Sequence, residues 1–368
     1  MTDWSAEFPG LRRGTYLNSC AHGLLPRRVR AAIDRHLDAW ETSPDWGAWG
    51  ESVESARRAF ARTVGARDDE VSVQANASSG IAAVLSALPS GGRDEIATAA
   101  VDFPTAPFLA ERQRPRGLRH VHVPAPDALD PDAWARRVGG RTALAVIPAV
   151  ASFSGHRLDV AAYAKRARDA GAMLMVDAFQ ACGTYPIDVR RLDVDFLVTG
   201  VYKWLLAPAG LAFLYARRDR HDLLPTTGGW LSAREPYAFD PFGEPAPDAR
   251  RFQSGGASVV GCAAAAESLR LLEEVGLGRI ERDTRALMDR VFAGARERGF
   301  EVLTPEAPAE RASIVTLRVP HLDRALAACA REGVVVNSRL GGIRVSPHFY
   351  NRPEDVDRLF ATLDAALA

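Results

Sequence analysis

Lys203 and Asp177 are the two residues whose types and settings first suggest chemistry. Lysine and arginine number 46 together, yet lysine occurs only at Lys165 and Lys203. A chain that uses arginine for nearly every positive charge keeps lysine where a guanidinium cannot serve. The outstanding such task is an amine that sheds its proton and attacks a carbonyl. Lys203 stands among Val201, Trp204, Leu205 and Leu206, an apolar setting that lowers the pKa of an ammonium group. Lys165 lies in the polar-faced stretch Ala161 to Asp169, where a solvated surface charge is the simpler reading. Asp177 closes the apolar run Met173 to Val176. A carboxylate there is costly to bury unless a cation faces it, and capping of the next helix is the competing account.

The elements that must position these two residues follow from periodicity. Tyr16-Leu17 reads as a short strand running into a loop, and Pro26 opens a helix through about Trp40. Ser43 to Gly50, with Pro, Gly and two tryptophans, reads as a loop whose rings pack inside or border a cleft; a helix is then expected from about Ser52 to Val64. From Val71 onward, apolar runs alternate with amphipathic stretches: Val71 to Val73, Glu95 to Thr98, His120 to Val123, Ala143 to Ile147, Met173 to Val176 and Phe196 to Val198. Short runs of this kind separated by helices imply an α/β fold with a mostly parallel central sheet covered by helices on both faces. Ligands of such sheets sit beyond the carboxyl ends of the strands. Leu223 to Asp248 is rich in Pro, Gly and aromatics and reads as a structured border to a site. A long helix from about Val259, another from about Gly278, and strands near Ile314, Val334 and Ile343 with intervening helices make a small α+β C-terminal unit. The expected division is residues 15–270 for the large domain and 1–14 with 271–368 for the small one.

An Asp at one strand end and an apolar-site Lys near another match what pyridoxal 5'-phosphate (PLP) requires. The amine holds the cofactor aldehyde as a Schiff base, and the carboxylate keeps the pyridine nitrogen protonated so that the ring accepts electrons. Other classes are disfavoured. Basic and acidic residues balance at 46 each, so no charge footprint for nucleic acid or an anionic membrane shows, and a small-molecule partner is expected. No apolar run reaches membrane-spanning length and the acidic start lacks a signal-peptide core, so a cytoplasmic protein is expected. Cys20, Cys182, Cys262 and Cys329 are far apart without a Cys-x-x-Cys pair, which suits reduced thiols and no metal site.

The run Val176-Asp177-Ala178-Phe179-Gln180-Ala181, with Tyr202-Lys203-Trp204, Pro208-Ala209-Gly210 and Ile343-Arg344-Val345-Ser346-Pro347-His348-Phe349-Tyr350-Asn351, resembles the class V aminotransferase family of fold-type I PLP enzymes. That family includes isopenicillin-epimerase-like proteins, kynureninases and cysteine desulfurases, and the resemblance covers nearly the whole chain. It implies a homodimer with active sites at the subunit interface. Asn76-Ala77-Ser78-Ser79-Gly80 opens a helix whose amides converge on one spot, as a phosphate requires, and helix capping explains such a start just as well. By resemblance Ser78 and Ser79 are cofactor-binding candidates, with Tyr202, Trp230 and Ser258 as further phosphate contacts. Ser258 stands in for a family Thr that is Gly256 here. Phe103, in Asp102-Phe103-Pro104-Thr105, falls where the family stacks an aromatic or His on the cofactor ring. Ser152 falls where desulfurases carry an Asn, and Gln180 is expected near the phenolic oxygen of the cofactor. Arg344 matches the family's ligand for a substrate carboxylate, with Asn18 and Arg339 as companions.

No cysteine lies between Val334 and Arg344, where desulfurases place their nucleophile, which argues against that chemistry. The resemblance implies an enzyme acting on an amino acid or amine-bearing small molecule through Lys203, and aminotransferase is the first reading. A kynureninase-like or other β-eliminating lyase, suggested by Phe103-Pro104-Thr105 and Tyr202-Lys203, and an epimerase are the alternatives. A catalytically silent PLP-fold binding protein is a remote one.

Overall fold

The computed structural model describes residues 3–89 and 91–368. Its strands are β1 (Thr15–Tyr16), β2 (Val71–Gln74), β3 (Glu95–Ala99), β4 (Arg119–Val123), β5 (Thr142–Pro148), β6 (Met173–Asp177), β7 (Phe196–Gly200), β8 (Ala212–Ala216), β9 (Glu301–Val302), β10 (Val315–Arg318), β11 (Val334–Val335), β12 (Asn337–Arg339) and β13 (Gly342–Val345). Seven of them form the large sheet in the order β2-β8-β7-β6-β5-β3-β4. All run parallel except β8, which is antiparallel to both neighbours. This is the α/β architecture with a mostly parallel central sheet expected from the alternating runs.

The period of two along each strand decides which layer a side chain joins. Leu144 and Val146 of β5 enter one core with Met175, Phe196 and Val198. Ala145 and Ile147 enter the other with Leu174, Val176 and Leu197. The first core is closed by Ile81, Val84 and Leu85 of the helix Ala77–Ser86. The second is closed by Phe60 of Trp46–Thr63, Tyr163 of Val160–Asp169, and Leu269 and Leu272 of Val259–Val275. Burial on both faces explains why the strands read as unbroken apolar runs.

The smaller unit packs the antiparallel sheet β12-β13-β10-β9 against the helices Leu277–Glu297, Leu322–Arg331 and Pro353–Leu367, with Val291, Phe292, Leu317, Ile343, Leu359 and Phe360 in its core. Residues Thr15 and Tyr16 pair in parallel with Val334 and Val335, and this ties the N-terminal segment to the C-terminal unit.

Two expectations are corrected. Ser43 to Gly50 is not a loop: the helix begins at Trp46, because the Asp45 carboxylate accepts hydrogen bonds from the backbone N–H groups of Gly47 at 2.9 Å and Ala48 at 3.2 Å. This N-cap outweighs the helix-weakening glycines. Trp46 is 70% exposed and packs on Trp49, so its ring lies on the surface and not in the interior. The sequence reading lacks β8, because the apolar residues after Pro208-Ala209-Gly210 show no alternation, both faces being buried. Among the described residues no helix is long and apolar enough to cross a membrane.

Candidate active site

The parallel strands share one direction, so their carboxyl ends form one edge, and five of the six ends, all but that of β4, lead into a residue singled out above. Asp177 is the last residue of β6; Lys203 follows β7; Phe103 follows β3; Ser152 follows β5; Asn76 to Ser79 follow β2. The fold brings these segments together at one edge of the sheet.

The lysine loop is clamped from two sides. Gly23 donates its N–H to the Tyr202 carbonyl at 2.9 Å, and a Cβ on Gly23 would sit 2.2 Å from the Lys203 carbonyl oxygen. Only glycine lets the N-terminal loop cross here. A Cβ on Gly200 would lie 2.2 Å from Cζ of Phe179, so Gly200 makes room for the ring beneath Lys203. The Lys203 amine stands 4.3 Å from the Phe179 centroid and 5.8 Å from that of Phe103. Burial pulls its pKa down to about 8, opposed by the nearby Asp177 and assisted by Arg344 and Arg339. An amine with that pKa is neutral in a useful fraction at physiological pH.

From the other side, the C-terminal motif supports the loop. His348 is buried and its Nε2 bonds the Trp204 carbonyl at 3.1 Å, while its Nδ1 accepts the Phe349 N–H at 2.9 Å. That pairing requires the neutral tautomer with the proton on Nε2, and burial holds the ring pKa down at about 4. Tyr350 bonds Ser19 at 2.8 Å, and Asn351 donates to the Tyr16 carbonyl at 2.9 Å.

The Asp177 carboxylate is buried and accepts the Phe179 N–H at 2.9 Å. Burial raises its pKa; the Phe179 N–H and Lys203 oppose the shift. Phe103 is 48% exposed, with its ring facing the lysine amine, which leaves a flat apolar surface for a planar ligand. Beside it, Asp102 was not singled out by the sequence reading. It is buried, its Oδ1 accepts the Phe103 N–H at 2.7 Å, and its Oδ2 has no partner. The signal that picked out Asp177, an acid just beyond an apolar strand, applies equally to Asp102.

The remaining candidates divide. Asn76 caps the helix Ala77–Ser86 and accepts the Ser79 N–H at 2.9 Å, while the Ser79 hydroxyl donates to the Asn76 carbonyl at 2.7 Å. The Ser79 side chain is thus engaged in the cap, and half-buried Ser78 beside it supplies a hydroxyl at the helix start. Tyr202 packs edge-on against Phe179 at 5.1 Å and lies 5.1 Å from the His22 ring. The Gln180 carboxamide accepts the Trp204 indole N–H at 2.8 Å and donates to the Cys20 carbonyl at 3.1 Å. Its amide therefore ties the lysine loop to the N-terminal loop, with one N–H to spare. Ser258 caps Val259–Val275 by accepting the Gly261 N–H at 3.2 Å. Trp230 belongs to an aromatic group of its own with Tyr237 and Phe239, its ring stacked 5.9 Å from Phe239, and none of its ring contacts is with the Lys203 group.

Arg344 enters from β13, where the register sets it opposite Asn337 of β12 and Thr316 of β10. It is buried and donates through Nη1 to the Ser152 carbonyl at 2.8 Å, and its Nε has no partner. No carboxylate pairs with it among the described residues, and burial lowers its pKa. Ser152 therefore positions Arg344 through its backbone, a role its side chain did not suggest. Arg339 is exposed and donates to Asn337 Oδ1 at 3.2 Å and the Ser338 carbonyl at 2.8 Å. Leu340 at the hairpin tip has φ 54. Three of the six partnerless buried side-chain atoms among the described residues, on Asn18, Asp102 and Arg344, lie on segments that converge on Lys203. This is where unsatisfied donors and acceptors mark a ligand site.

The residues present fit PLP: the edge of the large sheet gathers a lysine of lowered pKa, a buried acid, a flat aromatic face and a helix start, and the small sheet brings in Arg344, which no carboxylate pairs among the described residues. Residues 15–359 match the family described as Aminotransferase class-V, and the chain belongs to it. The chain is 30% identical over 352 residues to "Uncharacterized aminotransferase YcbU" of Bacillus subtilis, covering 95% of this chain and 93% of that one. It is 27% identical to a kynureninase of Bacillus anthracis over 97% of this chain and 89% of that one. Among solved structures, a cysteine desulfurase from Thermococcus onnurineus superposes with a TM-score of 0.88 at 24% identity, covering 99% of this chain and 97% of that one. At that identity the likeness speaks for the fold.

Proposed function

We propose that this protein is a PLP-dependent aminotransferase of an amino acid or amine-bearing small molecule, working in the cytoplasm as a homodimer with its sites at the subunit interface. The observation that carries the reading is the Lys203 amine, with its pKa lowered to about 8, held between the Phe179 and Phe103 rings within reach of Asp177. When bound, PLP supplies an aldehyde that condenses with amines and a ring that withdraws electrons from the substrate's Cα.

Lys203 is the residue that holds the cofactor and afterwards takes and returns the Cα proton. Asp177 would hold a proton on the pyridine nitrogen, and Phe103 would offer its flat face to the ring. The Ser78 hydroxyl and the free amides of the helix start would take the phosphate, with Tyr202 as a further contact; Ser79 would join them only by releasing its two hydrogen bonds to Asn76. The Ser152 hydroxyl and the spare N–H of Gln180 would serve the ring hydroxyl. Arg344 binds the substrate carboxylate through its open Nε, with Asn18 and Arg339 alongside. Residues 15–270 form the cofactor-binding unit, and residues 1–14 with 271–368 the unit that brings Arg344. The exposed group of Trp230, Tyr237, Phe239 and Phe242 and the exposed Ser254 to Gly256 loop supply surface for the second copy, where Trp230 and Ser258 reach a phosphate across the interface.

Purified protein incubated with PLP should turn yellow, and borohydride should fix a pyridoxyl group on Lys203, located by peptide mapping. Protein that takes up no PLP, or a Lys203→Ala variant that turns over normally, overturns the reading. A substrate screen separates the chemistries. Amino-group transfer to a 2-oxo acid marks the aminotransferase; loss of a side-chain fragment marks a lyase; Cα exchange with inversion marks an epimerase.

A further inference from the structure

Asp102 is a second carboxyl group in the site, and its surroundings differ from those of Asp177 in one decisive way. Both are buried, and each accepts one backbone N–H, from Phe103 and Phe179 respectively. Asp177 leaves no enclosed oxygen without a partner, whereas Oδ2 of Asp102 is enclosed and has none. An ionised carboxylate oxygen sealed from water without a donor costs several kcal/mol. Two carboxyls that share one low-dielectric site cannot both ionise freely, because each raises the free energy of the other's charged form. One cation, Lys203, acts on both. The direction of the shifts agrees: burial and then the neighbouring Asp177 charge push Asp102 well up, while Asp177 is raised by burial alone.

We propose that Asp102 is a positioning residue that remains a neutral carboxylic acid, leaving Asp177 as the only anion beneath the cofactor ring. Asp102 holds the Phe103 backbone through Oδ1 and so sets the stacking ring. Its uncharged state keeps the Asp177 charge from being shared or displaced. The inference rests on the cofactor reading above.

Neutral asparagine is isosteric with a protonated aspartate, so it discriminates. Asp102→Asn should keep the PLP dissociation constant within about threefold of wild type and leave the pH of the bound cofactor's absorbance transition in place. Asp177→Asn should weaken PLP by about tenfold or more, the loss expected when a buried charge partner is removed. An Asp102→Asn variant that loses PLP as severely as Asp177→Asn shows that Asp102 acts as an anion and overturns the proposal. A second measurement uses cofactor-free wild-type protein near pH 7, whose infrared spectrum should contain the carbonyl band of a protonated carboxylic acid that disappears in Asp102→Asn, or in Asp102→Ser if the asparagine variant does not fold. No such band in the wild type overturns the proposal as well. The infrared result is read without cofactor, so it stands apart from a failure of wild-type protein to bind PLP, which would refute the functional reading itself.

Discussion

The two walls of the site are built on opposite plans. The cofactor wall consists of strand ends from one buried sheet, and its polar groups are engaged within the protein, Asp177 by the Phe179 N–H and Gln180 by Trp204 and Cys20, with Oδ2 of Asp102 the exception. The substrate wall is a hairpin of the small sheet. There Arg344 has an open Nε, Arg339 is exposed, and Leu340 turns in the left-handed region. A ligand that never varies can be met by a rigid, prepaid surface; a ligand that sets specificity meets groups with free valences on a strained tip. The difference explains why the chain declares its cofactor more clearly than its reaction.

Substitutions can break the contrast where it is sharpest. Gly23→Ala puts a methyl 2.2 Å from a backbone oxygen that cannot step aside. It should cost about 3 kcal/mol of stability, as severe overpacking does, and displace the lysine loop, read by chemical denaturation and PLP uptake. A loss under about 1 kcal/mol would mean the cofactor wall is softer than described. The buried His348 makes a comparable prediction in pH. Its pKa is near 4 folded against 6.5 as the reference. Below about 6.5 the unfolded chain takes up a proton that the folded ring refuses. Stability should therefore be full above that pH and fall by about 3 kcal/mol as pH drops towards 4. In His348→Gln the part of that slope due to the ring should vanish.

On the substrate wall, Arg344→Lys keeps the charge but loses the two-pronged geometry. The expected result is a KM for the amino substrate raised by about 30-fold, about 2 kcal/mol, with a smaller change in kcat. An equal fall in kcat with KM unchanged would move Arg344 from substrate binding to the chemical step. The smallest effect belongs to Leu340→Asn. Asparagine tolerates the positive φ of 54 better than leucine, so stability should rise by about 0.5 kcal/mol. Any accompanying change in KM would show that the tip contributes to substrate selection.

The large sheet was legible because its strands are buried on both faces and appear as apolar runs, and the strand ends then pointed to Lys203, Asp177 and Phe103. Features that depend on three-dimensional approach were not legible. Gly23 and Gly200 are unremarkable glycines until Lys203 and Phe179 are placed beside them. Ser152 acts through its carbonyl, which no side-chain pattern encodes. Asp102 carries the same signal as Asp177, but the aromatic beside it is enough to account for the motif. The start of the helix at Trp46 was obscured by Pro44, Gly47 and Gly50, whose propensities pointed away from a helix that one aspartate cap secures.

The scarcity of lysine has a practical use. Lys165 is exposed and ion-paired to Asp169 at 2.8 Å, whereas the Lys203 amine has its pKa lowered to about 8. At neutral pH an amine-selective acylating reagent should mark Lys203 of the cofactor-free chain ahead of Lys165, because the reagent consumes only the uncharged amine. Bound PLP should shield that position. Because the α-amino terminus is acylated under the same conditions, the mass of the peptide that carries Lys203, rather than that of the whole chain, would then report what fraction of a preparation holds its cofactor.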